Sequence, residues 1–203
     1  MRDNRRRALI KTPFVCSTYT DFASANCSWT ENPFLQEKFF CNTYRVRDKL
    51  CQYLIVEVIE KGSQDPVEVC FRVVLFSIFT KISTWEALRE ELGQPTWAEY
   101  DRSRYIEILE DYMQSQATND GRKGAIYTGA YQKPAPYFGH KAAFINHLEL
   151  MEMWMEEKLP WRLLNAKYLV EAFEWLHSWP GMGDFNTYQL VLNLSYTNLL
   201  NFH

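Results

Sequence analysis

The sequence contains few of the residues that link or sharply bend a chain, with 5 cysteines, 8 glycines and 8 prolines among 203 residues. The cysteines are odd in number and include no C-x-x-C pair, which argues against a disulfide framework and favours reduced thiols inside a cell. No apolar segment of adequate length follows the basic start, so we expect no secretory signal. The longest apolar run, 73–79, is far too short to cross a bilayer, so we expect no membrane partner.

Net positive charge is also absent, because the formal charge is −3 at pH 7. A protein that holds DNA mainly by neutralising phosphates is normally basic, so only local nucleic-acid contact fits this composition. Residues 1–50 carry more basic than acidic side chains. Either one basic face or a mixed solvated surface would explain this excess. Arg5-Arg6-Arg7 fits one part of a nuclear signal, so the nucleus is a candidate compartment for the intracellular protein that the cysteines indicate.

Strand patterns are poor throughout, whereas helical periodicity recurs from Asn32 onward. We predict an all-α fold, a bundle of about seven helices with an extended N-terminal arm (1–31) and one helical domain (32–203). Asp65-Pro66-Val67-Glu68, Ser83-Thr84-Trp85-Glu86 and Thr96-Trp97-Ala98-Glu99 each predict a helix start. The helix after Asp65 is apolar on nearly all sides, which predicts a position in the middle of the bundle. An aromatic-rich loop over 118–139 precedes helices at 140–157 and 165–177.

The most informative segment is Trp179-Pro180-Gly181-Met182-Gly183-Asp184, between two apolar-periodic stretches. It predicts a tight turn between helices in which amide groups at the start of the second helix form an anion site. Gly181, Met182 and Gly183 are therefore the candidate phosphate-binding residues of a C-terminal helix-hairpin-helix. A plain turn between two helices, in which proline and glycine only set backbone angles, explains the same pattern.

Six short segments in order resemble one family, the helical domain of 5-hydroxymethyluracil DNA kinases, shared with alpha-glutamyl/putrescinyl-thymine pyrophosphorylases. They are Asn42-Thr43-Tyr44-Arg45-Val46-Arg47-Asp48, Gln52-Tyr53-Leu54-Ile55, Phe71-Arg72-Val73-Val74-Leu75-Phe76, Thr84-Trp85-Glu86, Ile126-Tyr127-Thr128-Gly129-Ala130-Tyr131, and Pro180-Gly181-Met182-Gly183 with Tyr188-Gln189. The family resembles helix-hairpin-helix DNA glycosylases, and its members are associated with modified thymine bases. The resemblance therefore implies a DNA or nucleotide ligand.

Polar and aromatic residues inside these segments are suited to a base pocket, because a flipped base is recognised by hydrogen bonds to its edge and by flat neighbours. The candidate pocket residues are Asn42, Arg45, Gln52, Arg72, Tyr127, Thr128, Gly129, Tyr131, Tyr188 and Gln189. Each has a structural alternative: Arg45 can pair with Asp48 on a helix surface, Arg72 can neutralise a buried acid, and Gln52 and Gln189 can bond loop carbonyls.

Catalytic chemistry is not evident in these residues. The phosphate-binding loop that a kinase needs, G-x-x-x-x-G-K-[ST], is missing, so we expect no kinase activity from this chain alone. Glycosylases of the hairpin class place a catalytic Asp roughly twenty residues beyond the hairpin glycines, where this sequence reaches His203. Either the domain is truncated at its C-terminus or it lacks that catalytic part. His140 and His147 have no partner at metal-ligand spacing, so we expect no metal and no cofactor.

Three hypotheses follow. The first is a nucleic-acid-binding or base-recognition domain associated with modified thymine bases in DNA. The second is an enzyme that acts on a modified base, glycosylase-like or a transferase, whose catalytic acid lies outside this chain. The third is a catalytically inactive all-α interaction module with a partner protein.

Overall fold

The structure is a computed structural model that describes residues 44–117, 124–129 and 134–201. The chain divides into two compact units, Met1–Asp48 and Lys49–His203. In the first unit the described residues form one 3-10 turn, Arg45–Arg47, whose Arg47 guanidinium lies over the Tyr44 ring. The predicted arm, Asn42 and Tyr131 lie outside the described residues, so these expectations stay predictions.

The second unit is built from helices. Its described residues form eight α-helices and no strand, which confirms the all-α prediction. They are α1 (Lys49–Tyr53, continued by a π-helical segment, Leu54–Ile59), α2 (Pro66–Phe79), α3 (Ile82–Leu92), α4 (Arg102–Ser115), α5 (Ala143–Glu156), α6 (Leu159–Asn165), α7 (Leu169–His177) and α8 (Asp184–Leu194).

The short helix α6 was not predicted. Lys158 adopts a left-handed conformation (φ 60°) that ends α5, and Pro160 occupies the first turn of α6. Proline is favoured at the first turn of a helix because its missing N–H would have no partner there. Two helices separated by two residues, Glu157 and the left-handed Lys158, therefore replace the single helix and loop that apolar periodicity indicated.

Helix α2 is the centre of the unit, as its all-round apolar pattern predicts. The Asp65 side chain accepts a hydrogen bond from the Val67 amide and Pro66 starts the helix, so the predicted cap is confirmed. Every residue from 69 to 80 is buried, and the π-helical segment, α3, α5, α6 and α8 all pack against this helix. Full burial of each large apolar side chain contributes about 1.5–3 kcal/mol, so α2 anchors the packing.

Two other predicted helix starts are wrong. Helix α3 begins at Ile82 without a side-chain cap, and the Thr84 hydroxyl instead donates to the Ile126 carbonyl oxygen at 2.8 Å. Helix α4 begins at Arg102, where Asp101 accepts from the Ser103 amide. The segment predicted to start α4 is a turn, and Glu68 on α2 accepts from the Trp97 and Ala98 amides there. The Thr84 hydroxyl and the Trp97 and Ala98 amides thus bond distant partners, and Thr96 donates to Glu99 without capping a helix.

No helix in the described ranges has the length and apolar character needed to span a membrane.

Candidate functional site: a cleft beside the α7–α8 turn

A small cleft that is partly open to solvent lies between α2, α5 and α8. Its walls are mostly apolar, and its polar groups come from serine, histidine, tryptophan and amide side chains. The lining residues are Val74, Ser77, Ile78, Pro134, His147, Leu150, Trp154, Gly181, Met182, Asn186, Gln189, Leu190 and Asn193. A concave, largely apolar site with a few polar groups is the usual form of a small-molecule or base pocket.

Helical spacing explains why these side chains meet. Positions three, four and seven apart lie on one face of an α-helix. His147, Leu150 and Trp154 follow this spacing on α5, and Asn186, Gln189, Leu190 and Asn193 follow it on α8. The cleft is therefore the space left where one face of α5 and one face of α8 both approach α2.

Hydrogen bonding among the residues that line the cleft is incomplete. The Asn193 amide donates to the Ser77 hydroxyl at 2.8 Å, which ties α8 to α2. Trp154 Nε1 and Asn186 Oδ1 are buried and have no hydrogen-bond partner. None of the described lining residues is Lys, Arg, Asp or Glu. These residues therefore offer hydrogen bonds and apolar contact to a ligand.

A tyrosine lies behind the α5 wall. The Tyr127 hydroxyl is 2.7 Å from His147 Nδ1, and the two rings meet edge to face with centroids 5.5 Å apart. Burial raises the pKa of the Tyr127 hydroxyl well above its ordinary value, so this oxygen keeps its proton near neutral pH. The Thr128 amide donates to the Phe79 carbonyl oxygen, which holds this segment against the end of α2.

The α7–α8 turn borders the cleft. Gly181 has φ +79°, a left-handed conformation that favours glycine, and the Met182 amide donates to the Trp179 carbonyl oxygen. Pro136 covers one side of the turn, since a Cβ at Gly181 would lie 2.9 Å from Pro136 Cδ. Gly183 is exposed and occupies the N-cap position of α8, with open space around it.

An acidic group lies at the same helix start. The Asp184 carboxylate, 93% exposed, is 2.9 Å from His177 Nε2 at the end of α7. A carboxylate is stabilised by the positive end of a helix dipole, and a histidine by the negative end. The exposed Asp184 carboxylate would oppose a phosphate bound at this helix start, because like charges repel.

The cleft brings together three of the predicted site residues, Gly181, Met182 and Gln189, and Tyr127 reaches it through His147. Tyr188, the neighbour of Gln189, is 56% exposed on another face of α8. Gly129 is also exposed.

Arg72 and Gln52 lie elsewhere. Arg72 is fully buried, with Nε donating to the Val58 carbonyl oxygen at 2.8 Å and Nη2 donating to the Ser63 carbonyl oxygen at 2.7 Å. Gln52 is half-buried on α1 and is not among the cleft-lining residues. Arg45 is exposed and belongs to the first unit, Met1–Asp48.

Sequence reasoning missed much of the polar lining, namely Ser77, His147, Trp154, Asn186 and Asn193. The spacing of His147, Leu150 and Trp154 was available as a signal, but it resembles the core pattern of any buried helix. The two histidines considered for a metal have separate partners, because His140 pairs with Glu149 at 2.9 Å. The described residues contain no group of three His, Cys, Asp or Glu side chains that could hold a metal ion.

Comparison with known proteins gives one finding. The family described as "5-hmdU DNA kinase, helical domain" matches residues 20–203, which includes all six segments that carry the resemblance. No curated protein and no solved structure matches the chain. Because the family match extends over most of the sequence, the chain belongs to the family of 5-hmdU DNA kinase helical domains.

Proposed function

We propose that this helical domain binds DNA at the α7–α8 turn and holds a modified uracil base in the adjacent cleft. The observation that carries the proposal is the position of the cleft, because Gly181 and Met182 of the turn belong to its lining. A strand held by its backbone at the turn would have its bases within reach of the cleft. The family description, which names a DNA kinase and 5-hmdU, supports the same ligand.

The chemistry of the cleft fits a single base better than a duplex surface. Enzymes and readers that act on one base extrude it into a pocket with flat apolar walls and hydrogen-bonding edges. Trp154 and Leu150 supply apolar surface, whereas Asn186, Gln189 and Asn193 supply amide groups. Amides present both donors and acceptors, as the edge of a pyrimidine requires.

The turn is suited to a phosphate at its exposed side. Backbone amides and the positive end of a helix dipole favour anions at a helix start, and Gly183 leaves the start of α8 open to solvent. The Asp184 carboxylate reduces this attraction. We therefore expect Asp184→Asn to strengthen DNA binding about twofold to fivefold at low salt, with a smaller gain at high salt because exposed charges are screened.

Fluorescence anisotropy with labelled single-stranded and duplex DNA, carrying either thymine or 5-hydroxymethyluracil at one position, tests the proposal. We expect salt-sensitive binding with a preference for 5-hydroxymethyluracil, and Gln189→Ala should reduce that preference about fivefold to tenfold. Asn165→Ala is the matched control, because this amide lies on α6 and bonds the Trp161 carbonyl oxygen outside the cleft. Absence of salt-sensitive binding to every DNA would refute the proposal.

A second candidate function is supported by exposed apolar side chains on α6 and α7. The side chains of Trp161, Leu164, Tyr168, Leu169 and Val170 are all exposed, and several large exposed apolar side chains close together in the sequence favour protein–protein contact. This candidate is an interaction module that joins a partner protein, and catalysis on the modified base would then belong to that partner. Base release or transfer by the purified chain alone would instead favour an enzyme.

A further inference from the structure

A segment without regular secondary structure borders the cleft beside the α7–α8 turn. It comprises residues 134–140, here called the strap, and contains neither helix nor strand. Pro134 belongs to the lining of the cleft, as Gly181 of the turn does. Pro136 is buried, and its Cδ and backbone N atoms would lie 2.9 and 3.0 Å from a Cβ at Gly181. The strap therefore packs against the turn and completes one side of the cleft.

One buried amide side chain, Asn146 in the first turn of α5, holds the strap in this position. Its Oδ1 accepts from the Phe138 amide at 2.8 Å and from the His140 amide at a longer 3.4 Å. Its Nδ2 donates to the carbonyl oxygens of His140 at 2.8 Å and Ala142 at 3.2 Å. These four bonds use every donor and acceptor of an amide side chain. The strap makes a further contact through His140 Nε2, which is 2.9 Å from a carboxylate oxygen of Glu149.

The strap differs from the helical walls of the cleft in how it is supported. The cleft-lining residues of α2 and α5 are all buried, whereas Pro134, Tyr137 and Gly139 of the strap are exposed. A segment opens locally at a lower free energy than the whole fold when few buried contacts and hydrogen bonds must break. The strap is therefore the side of the cleft that can move while the helices stay packed.

We propose that the strap controls the entry of a ring-shaped ligand into the cleft, and that Asn146 is the positioning residue that keeps the strap closed. In the closed state Pro136 lies against the turn, and displacement of the strap widens the way to Leu150 on α5. Loops that close over a site in this way commonly limit the binding and release of ligands. The inference concerns access to the cleft, and only the identity of the ligand as a base rests on the proposed function.

The experiment measures access to the cleft in the full chain without DNA. Leu150→Cys places a thiol in the lining at a position that is 3% exposed, and Ile78→Cys places one on the α2 wall at a position that is 8% exposed. The probe is N-ethylmaleimide, a flat ring close in size to a pyrimidine. Mass spectrometry of peptides follows the introduced thiol and, in the same sample, the native Cys70, which is fully buried in α2. Thermal melting confirms that each variant is folded.

The dependence on urea separates opening of the strap from unfolding of the domain. Reaction of Cys70 requires exposure of much of the core, so its rate should rise steeply with urea below the unfolding transition. Opening of the strap exposes little surface, so the introduced thiol should react faster than Cys70 and nearly independently of low urea concentrations.

Two variants of the strap and its anchor should speed this reaction. Asn146→Ala removes all four hydrogen bonds and should accelerate labelling of the cleft thiol about tenfold, the factor expected when one or two buried hydrogen bonds are lost. Pro136→Ala keeps these bonds but removes the ring contact with the turn, so about threefold is expected, and this variant carries the test if Asn146→Ala does not fold. Asn165→Ala, an amide on α6, and Tyr137→Ala, a strap side chain that is 79% exposed, are the controls that should leave the rate unchanged.

A cleft thiol that reacts only as fast as Cys70, with the same urea dependence, would overturn the inference. So would a thiol that reacts like one in an unfolded peptide, or anchor variants that accelerate labelling no more than the controls do. Because DNA takes no part, these results are independent of the proposed function. If the chain prefers 5-hydroxymethyluracil in DNA while Asn146→Ala leaves labelling unchanged, the proposed function stands and the base enters from another side. If labelling behaves as expected and no DNA binds, the strap controls access to a cleft with a different ligand.

Discussion

The two ends of α2 have different polar surroundings, although buried polar atoms without a partner occur near both, including Arg72 Nη1. Near its start, the Arg72 guanidinium donates to two carbonyl oxygens, of Val58 and Ser63, and so joins α2 to the end of the π-helical segment. Near its end, Ser77 and Ile78 border the cleft, whose neighbouring walls leave Trp154 Nε1 and Asn186 Oδ1 unpaired. One helix therefore serves as structural support at one end and as the wall of a candidate site at the other.

This difference separates stability from ligand binding in a way that variants can test. Polar groups that bond partners inside the protein contribute to folding stability, and removing them should not change ligand binding directly. Polar groups left unpaired in the folded state cost free energy, so their replacement by apolar groups need not destabilise the fold. Variants at the two ends of α2 should consequently change different measurements.

Arg72→Met should have the largest effect on folding. The substitution removes both donors from buried carbonyl oxygens and leaves them unpaired, so we expect the free energy of unfolding to fall by about 3 kcal/mol. The pKa of the Arg72 guanidinium is lowered overall, because the effect of burial exceeds the opposite effect of the nearby Glu68 carboxylate. Urea denaturation followed by circular dichroism measures the change. Arg104→Met is the control at an exposed arginine.

If Arg72→Met left the unfolding midpoint unchanged but abolished DNA binding, the assignment of the two ends would be reversed. Arg72 would then be a ligand-binding residue, as its place among the family segments suggested.

The two glycines of the α7–α8 turn should differ in how much their substitution destabilises the fold. Gly181→Ala places a Cβ against Pro136 at a left-handed backbone position, so it should destabilise the fold by about 2 kcal/mol. Gly183 has φ −78° and open space around it, so Gly183→Ala should change stability by no more than about 1 kcal/mol. Thermal melting and DNA anisotropy on both variants give the comparison.

Weaker DNA binding by a stably folded Gly183→Ala protein would place the phosphate at the exposed side of the turn. Unchanged affinity in that variant would leave the turn with a structural role only.

Much of the fold was predictable from local patterns. The all-α class, the central position of α2, its Asp65 cap and the end of α3 at Gly93 follow from periodicity, caps and left-handed glycine, which depend on neighbouring residues. The cap signals at Ser83 and Thr96 failed because Thr84 and Glu68 bond partners more than 25 residues away. Sequence spacing holds no information about such contacts.

The candidate site was less predictable for the same reason. Gly181, Met182 and Gln189 were found because a turn motif and a family resemblance are both local in sequence. Trp154 and Asn186 were missed because an aromatic residue and an amide on amphipathic helices are ordinary core and surface residues. Only the approach of α5 and α8 to α2 makes them neighbours of one cleft.

Tyr127→Phe should have an intermediate effect at the cleft end of α2. Loss of the hydroxyl removes the hydrogen bond to His147 Nδ1, for which we expect a destabilisation of about 1 kcal/mol. Nitrogen-15 NMR of the imidazole should also show a changed distribution of the proton between Nδ1 and Nε2. Tyr188→Phe, on the exposed face of α8, is the control. An unchanged His147 spectrum in Tyr127→Phe would contradict a positioning role for this hydroxyl.

Glu57→Gln should have the smallest effect, at the structural end of α2. Glu57 pairs with Lys61 at 2.6 Å and with Arg89 at 3.1 Å, and the hydrogen bond from Lys61 is the main cause that lowers the pKa of its carboxyl. Because the pKa is lower in the folded state, the pair stabilises the protein above the ordinary carboxyl pKa of about 4.5 and loses this contribution as pH falls through the folded-state value. The ions are partly exposed, so we expect wild type and Glu57→Gln to differ by less than about 1 kcal/mol at pH 7 and to converge as pH falls below the folded-state pKa of Glu57. Urea denaturation across this pH range gives the measurement, and a difference that grew on acidification would mean that Glu57 is strained rather than stabilised by its neighbours.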